Sequence, residues 1–446
     1  MPTISPEEAW ERIAARLSPL AGERAPRREA AGRVLAEALA ATVDVPAADV
    51  SAMDGYALAG EVTPGERRPV IATIAAGDPP GLALPAGKAA RIMTGAPMPL
   101  GADRVVPVEA TRAVPLETVR EMAAEAAREI QAEAVREVPA EAAWTAAATE
   151  PARHLAAVEL LAAAARGEHI RRRGEVLRAS EPLLPAGSLL TPGALALVAT
   201  HGYAEVPVHR APAVAVLPTG DEVVPPERVP GPGQLRDSHT DFLLAAGGTL
   251  GLRFTALGIA PDRPEELTAR VAAGMAAADV LLICGGVSMG EFDLVEGALE
   301  RLGCRRHFDA VAIQPGKPLV FATHPGGVVF GLPGNPASVM VGFWLFVRPA
   351  LALLAGRADA WWRPSVPATL EAPLPGAPAA RDRFLPAEVS WGAAPGGGPL
   401  VRPLPPKGSH DLAAYARGTA LVRVRAGAPP APAGARCEIL PLPPPL

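Results

Sequence analysis

The run Asp279-Val-Leu-Leu-Ile-Cys-Gly-Gly-Val-Ser-Met-Gly-Glu-Phe-Asp293 leaves few folds open to this chain. A short apolar stretch bounded by glycines reads as a fully buried parallel strand. It passes through a glycine-rich loop into a helical pattern, Leu294-Val-Glu-Gly-Ala-Leu-Glu-Arg-Leu302. Ligands of open α/β sheets bind just beyond the carboxyl ends of such strands. Small residues there allow close backbone approach, and Ser288, Glu291 and Asp293 add one hydroxyl and two carboxylates. That chemistry suits a phosphate-bearing ligand with a metal; a tight turn that simply needs glycine is the alternative. The loop is neither a P-loop nor a GxGxxG fingerprint.

The chain around it has 446 residues, enough for several domains. Apolar residues make up 49%, so a large core needs no staples, and the net charge of −5 with both signs mixed excludes a nucleic-acid footprint. Three scattered cysteines fit a reducing compartment and exclude a disulfide framework. The first residues lack the basic and apolar regions of a signal peptide, and no apolar run reads as long enough to span a bilayer. A soluble cytoplasmic protein is expected.

Along the chain, Ser5-Pro-Glu-Glu8 starts a helix that carries Trp10, Ile13 and Leu17. Gly32 to Leu39 is a further ordered element. Val43 to Glu109 has the short apolar stretches and Pro/Gly turns of a β-rich domain. Residues 119–142 hold three copies of an octad, Val119-Arg-Glu-Met-Ala-Ala-Glu-Ala and its two successors. Alanine and glutamate there predict an inserted helix from about Leu116 to Glu137, with a functionless repeat expansion as the plainer account. A second alanine-rich helix is expected from Pro151 to Arg166. From Ala213 strands alternate with helices, implying βαβ units and a parallel sheet. Strands are expected at Val214–Leu217, Leu252–Ile259 and Val328–Phe330, and helices at Ser238–Ala246, Pro264–Ala277 and from the 331–338 loop to about Leu354. After Trp361 the pattern is that of a separate small β domain.

Three loops therefore leave one sheet edge: Thr219-Gly-Asp-Glu222, Gly285 to Asp293, and Gly331-Leu-Pro-Gly-Asn-Pro-Ala-Ser338. Pro261-Asp262 adds a fourth. Asp221, Glu222, Asp262 and Asp293 converge with backbone amides, a hard-oxygen set that favours Mg²⁺ shared with substrate phosphates. Asn335 between two prolines sits in a rigid turn whose amides offer an oxyanion cradle, and Lys317 supplies a cation nearby in sequence. Each carboxylate alone reads as a cap or surface charge. Ser51-Ala-Met-Asp54-Gly-Tyr56-Ala and Arg91-Ile-Met-Thr94-Gly-Ala-Pro97 are turn signals. Ile170-Arg-Arg-Arg-Gly-Glu175 suits phosphate or carboxylate recognition, or a solvated charge run. The histidines show no ligand spacing.

Taken in order, these segments, together with Asp237-Ser238 and Pro315-Gly-Lys-Pro318, resemble the MoeA-type molybdenum insertases, the family of Cnx1 and gephyrin E domains. Only residues 113–168 look foreign to it. The resemblance implies a multi-domain α/β chain: a linking domain (1–41 with 181–211), a β-rich domain (42–180, insertion included), a MogA-like molybdopterin-binding sheet domain (212–360) and a C-terminal β-barrel-like domain (361–446). It implies a homodimer that uses adenylylated molybdopterin, molybdate and Mg²⁺, releases AMP and molybdenum cofactor, and meets other molybdenum-cofactor biosynthesis proteins. A non-catalytic molybdopterin-binding scaffold and a MogA-like adenylyltransferase are the alternatives. By matching, Asp54, Thr94, Glu222, Asp262, Asp293, Pro333 and Pro336 fall on functional positions. Glu222, Asp262 and Asp293 are assigned to Mg²⁺, Ser288 with the Gly285 and Gly286 amides to the pterin phosphate, and Lys317, Asn335 and Ser338 to molybdate. Asp221, Asp237, Ser238 and Gly334 complete the expected site. The chain departs from the family at Val176, usually acidic, and at His239, commonly asparagine. It departs again at Ala310 and Gln314, commonly lysines. Two cations lost beside an anionic substrate weaken binding by about 1.5–3 kcal/mol per charge-assisted hydrogen bond.

Overall fold

The computed structural model describes residues 1–115, 117–118, 155–287, 294–357, 361–362, 365–378, 380–392 and 397–442. The expected octad helix, Ser288, Glu291 and Asp293 lie outside them. The chain divides into two compact units: Met1–Ala38 with Pro185–Leu446, and Leu39–Leu184.

The larger unit is built on a six-stranded sheet. Its strands run, edge to edge, Phe254–Ala256, Val214–Pro218, Val280–Cys284, Gly327–Leu332, Pro318–His324 and Arg305–Ala310. The first four are mutually parallel. The last two depart from the all-parallel expectation. Pro318–His324 returns antiparallel through the Pro325-Gly326 turn, and Arg305–Ala310 pairs antiparallel beyond it. A hairpin of this kind needs only a short turn, whereas a parallel return needs a crossover. All five residues of Val280–Cys284 are buried. Val280, Leu282 and Cys284 pack with Leu243, Phe343 and Phe346, while Leu281 and Ile283 pack with Leu267, Val271 and Val295. Helices His239–Thr249 and Pro336–Leu354 thus cover one face, and Pro264–Ala277 and Leu294–Arg301 the other. This explains why the strand reads as an unbroken apolar run.

Pro336–Leu354 corrects the expectation about apolar length. It has 19 residues and a mean hydropathy of 1.8, long and apolar enough to cross a membrane, yet it is 78% buried as a core helix. Its middle, Phe343–Val347, is a π-helical turn.

The C-terminal strands of the same unit close on themselves. Asp382–Ser390, Leu400–Pro403, Val366–Leu370, Arg436–Pro441 and Ala420–Val424 form a barrel, the last pairing back to the first. Ile313–Gln314 joins its rim by pairing parallel with Asp382–Arg383.

The smaller unit carries a second six-stranded sheet, ordered Arg104–Pro107, Gly55–Leu58, Ala89–Ile92, Arg67–Ile74, Leu155–Leu160 and Thr111–Pro115. Leu155–Leu160 overturns the helix expected over 151–166. It is a strand paired on one side with Thr111–Pro115 and on the other with Arg67–Pro69. Val158 and Leu160 are fully buried. Two hydrogen-bonded neighbours and an apolar face outweigh alanine's preference for helix.

Candidate active site at the sheet edge

The carboxyl ends of the parallel strands are tied together by their backbones. Thr219 N–H donates to the Cys284 carbonyl (2.8 Å), Gly220 N–H to Ala260 (3.2 Å), and Gly285 N–H to Leu332 (3.0 Å). Gly285 and Gly286 have φ of +100° and +62°. A Cβ on Gly285 would stand 2.7 Å from the Thr219 carbonyl oxygen, so this turn accepts only glycine. Thr219 Oγ1 lies against the same two glycines, buried and without a partner among the described residues.

Beyond these ends opens a cavity of about 800 Å³. Its sheet-side wall comprises Glu222, Gly285, Gly286, Val287, Pro333, Gly334, Asn335 and Ser338. A second wall is Gln314 to Pro318, and a third comes from the barrel: Arg381, Arg383, Pro405, Pro406, Gly408, Ser409 and Tyr415. Among the described lining residues, Lys317, Arg381 and Arg383 are the cations and Glu222 the carboxylate. Pro336 begins the core helix there. Asn335 is its N-cap residue but makes no side-chain cap bond, and Ser338 is buried in its first turn. The first-turn N–H groups are taken within the protein: Ala337 N–H donates to the Ser409 carbonyl (3.3 Å), and Ser338 and Val339 N–H donate to the Asn335 carbonyl (3.0 and 3.1 Å).

The sequence-derived site residues fall in several places. Glu222, Gly285, Gly286, Lys317, Pro333, Gly334, Asn335 and Ser338 line the cavity. Asp221 and Asp262 do not line it; they are exposed neighbours, with Asp262 N–H donating to Asp221 Oδ1 (3.2 Å). Asp237 is occupied as a helix cap, accepting from His239 N–H, Thr240 N–H and Thr240 Oγ1 at 2.9, 3.2 and 2.6 Å. Ser238 follows it as the N-cap residue without a side-chain cap bond. His239 is half-buried, and that burial pushes its pKa down, against the opposing effects of the Asp237 charge and the Gly334 backbone. Asp54 and Thr94 meet in the smaller unit, where Asp54 Oδ1 accepts from both Thr94 N–H and Thr94 Oγ1 at 2.7 Å. These bonds, the backbone one foremost, hold the Asp54 carboxyl below its usual range. The arginine run is largely engaged within the same unit: Arg172 pairs with Asp49 (2.6 Å) and Arg173 with Asp44 (2.5 Å).

The donors suit magnesium in one specific sense. Among the described residues no three acidic, histidine or cysteine side chains cluster as a protein-only cage. Magnesium instead takes one or two carboxylates plus substrate phosphates, and Glu222 offers a carboxylate at the wall, folded back over Gly220. Sequence reasoning missed Thr219 as a site residue, and also Arg381, Arg383 and Ser409. The latter three lie in the barrel and reach the cavity only through tertiary folding, so no local signal marks them.

A family model described as a probable molybdopterin binding domain matches residues 215–353, the sheet domain just described. The MoeA N-terminal region, domains I and II, matches 4–202, and the MoeA C-terminal region, domain IV, matches 367–442. The chain belongs to the MoeA family of molybdenum cofactor biosynthesis. It is 40% identical to molybdopterin molybdenumtransferase of Synechococcus elongatus over 345 residues, 75% of each chain. It is 36% identical to that of a Nostoc species over 339 residues, 74% of this chain and 69% of the relative. A MoeA protein structure from Pyrococcus horikoshii superposes with a TM-score of 0.74 at 28% identity, covering 98% of both chains.

Proposed function

We propose that this chain inserts molybdate into adenylylated molybdopterin, releasing AMP and molybdenum cofactor, as a cytoplasmic homodimer assisted by Mg²⁺. The observation that carries this reading is the cavity's charge: among the described lining residues, three cations against one carboxylate. A doubly charged oxyanion is stabilised by guanidinium and ammonium donors, and Ser338 with Lys317 and Asn335 are the residues assigned to it. Of the two glycine amides assigned to the pterin phosphate, Gly285 N–H is held by the Leu332 carbonyl, which leaves the role to Gly286 in a turn kept tight against Thr219. Glu222, with Asp262 and Asp293 as its assigned partners, would hold magnesium, which when bound neutralises charge at the cleaved phosphoanhydride. Asp54, fixed by Thr94, is the carboxylate assigned from the β-rich unit.

The test is molybdate-dependent AMP release from adenylylated molybdopterin by the purified chain. Glu222→Gln is expected to lower it about 10- to 100-fold, the range for removing one group that supports a metal, with partial recovery at high Mg²⁺. Tight pterin binding with no AMP release from the parent protein defeats the insertase reading.

A further inference from the structure

In the stretch Gln314-Pro-Gly-Lys-Pro318 that walls the cavity, Lys317 is the cation and position 314 is neutral. The barrel supplies a different cation at the same spot. Ile313–Gln314 pairs in parallel register with Asp382–Arg383, which sets Arg383 directly opposite Gln314. Arg383 Nε and Nη2 both lie 3.4 Å from Gln314 Oε1, and both residues line the cavity. Gln314 is thus an acceptor that orients a guanidinium, where lysine would repel it. Asp382, next to Arg383 in sequence, is taken by Arg423, and Arg383 makes no ion pair among the described residues. A guanidinium has five N–H donors, and the two long bonds to Gln314 leave the others for a ligand.

We propose that Arg383, oriented by Gln314, is a specificity-determining residue that binds the oxyanion substrate and supplies the cation that position 314 itself does not. The inference rests on the insertase reading for the identity of that oxyanion. Its test is calorimetric binding of molybdate alone to the full chain, without pterin. Arg383→Ala is expected to weaken binding about 10- to 100-fold, the loss typical of a charge-assisted hydrogen bond. Adding Gln314→Lys to that variant is expected to restore affinity, and adding Gln314→Ala is not. Arg383→Gln, which keeps bulk and polarity, serves if the alanine variant fails to fold. Unchanged affinity in the Arg383 variants, no rescue by lysine, or no molybdate binding by the parent overturns the proposal. The expected binding pattern without AMP release leaves it standing and defeats the insertase reading alone.

Discussion

Asp54 and Thr94 lie far apart in sequence yet share two short hydrogen bonds. Because the folded-state pKa of Asp54 is depressed, its stabilising contribution is complete above the ordinary aspartate value of about 3.9. It is lost as pH falls through the lower folded value. The Thr94 amide resonance is therefore expected to titrate with a midpoint below about 3.9, and Asp54→Asn to abolish that titration; a midpoint above the ordinary value contradicts the geometry. At this scale the sequence was readable where one segment carries its own reason. Gly285 and Gly286 announced a close-approach loop, and Asn335 between prolines announced a rigid turn. The capping role of Asp237 was not legible, because a buried cap and a ligand-binding aspartate look alike without coordinates. Arg383 was illegible because its meaning depends on Gln314 across a strand pairing.

The contact between the N-terminal helix, Pro6–Ala14, and the barrel shows how elements are locked together. Arg423 in Ala420–Val424 donates from Nε to Asp382 (2.6 Å) and from Nη2 to Glu7 (2.5 Å). Its guanidinium carbon lies 4.8 Å from the Trp361 ring centroid. The Arg423 and Asp382 side chains are only 7% and 10% exposed. Arg423→Ala leaves Asp382 buried without its cation and is expected to cost about 3–5 kcal/mol, read as a lower urea midpoint at unchanged slope. Arg425→Ala removes an exposed partner of the same Glu7 and is expected to change stability by less than about 1 kcal/mol. Equal losses in the two variants contradict the role given to burial. Elements with a strong period or cap were legible: Pro264–Ala277 matches its expected bounds. Leu155–Leu160 was not, since alanine composition favours helix and only the pairing partners decide otherwise.

For the molecule as a whole, residues 116–154, which include the octads, leave from and return to neighbouring points. Thr111–Pro115 and Leu155–Leu160 pair antiparallel, with Pro115 opposite Leu155. A two-residue Asn-Gly hairpin turn in place of residues 116–154 meets the geometry that such strands require. The shortened chain is expected to keep its melting temperature and its AMP release. Loss of either shows that the segment contributes to folding or catalysis. The alternation of strands and helices made the sheet domain legible, and the proline-rich tail did the same for the barrel. Their meeting around one hollow was hidden because Glu222 and Arg383 are distant in sequence. That distance also orders events during synthesis. A ribosome delivers the acidic wall and Lys317 well before either guanidinium, so the nascent hollow begins with little pull on anions and gains it only as the final strands wrap round. A premature stop before Arg381 would leave the sheet's sequence whole and the trap for its cargo unbuilt.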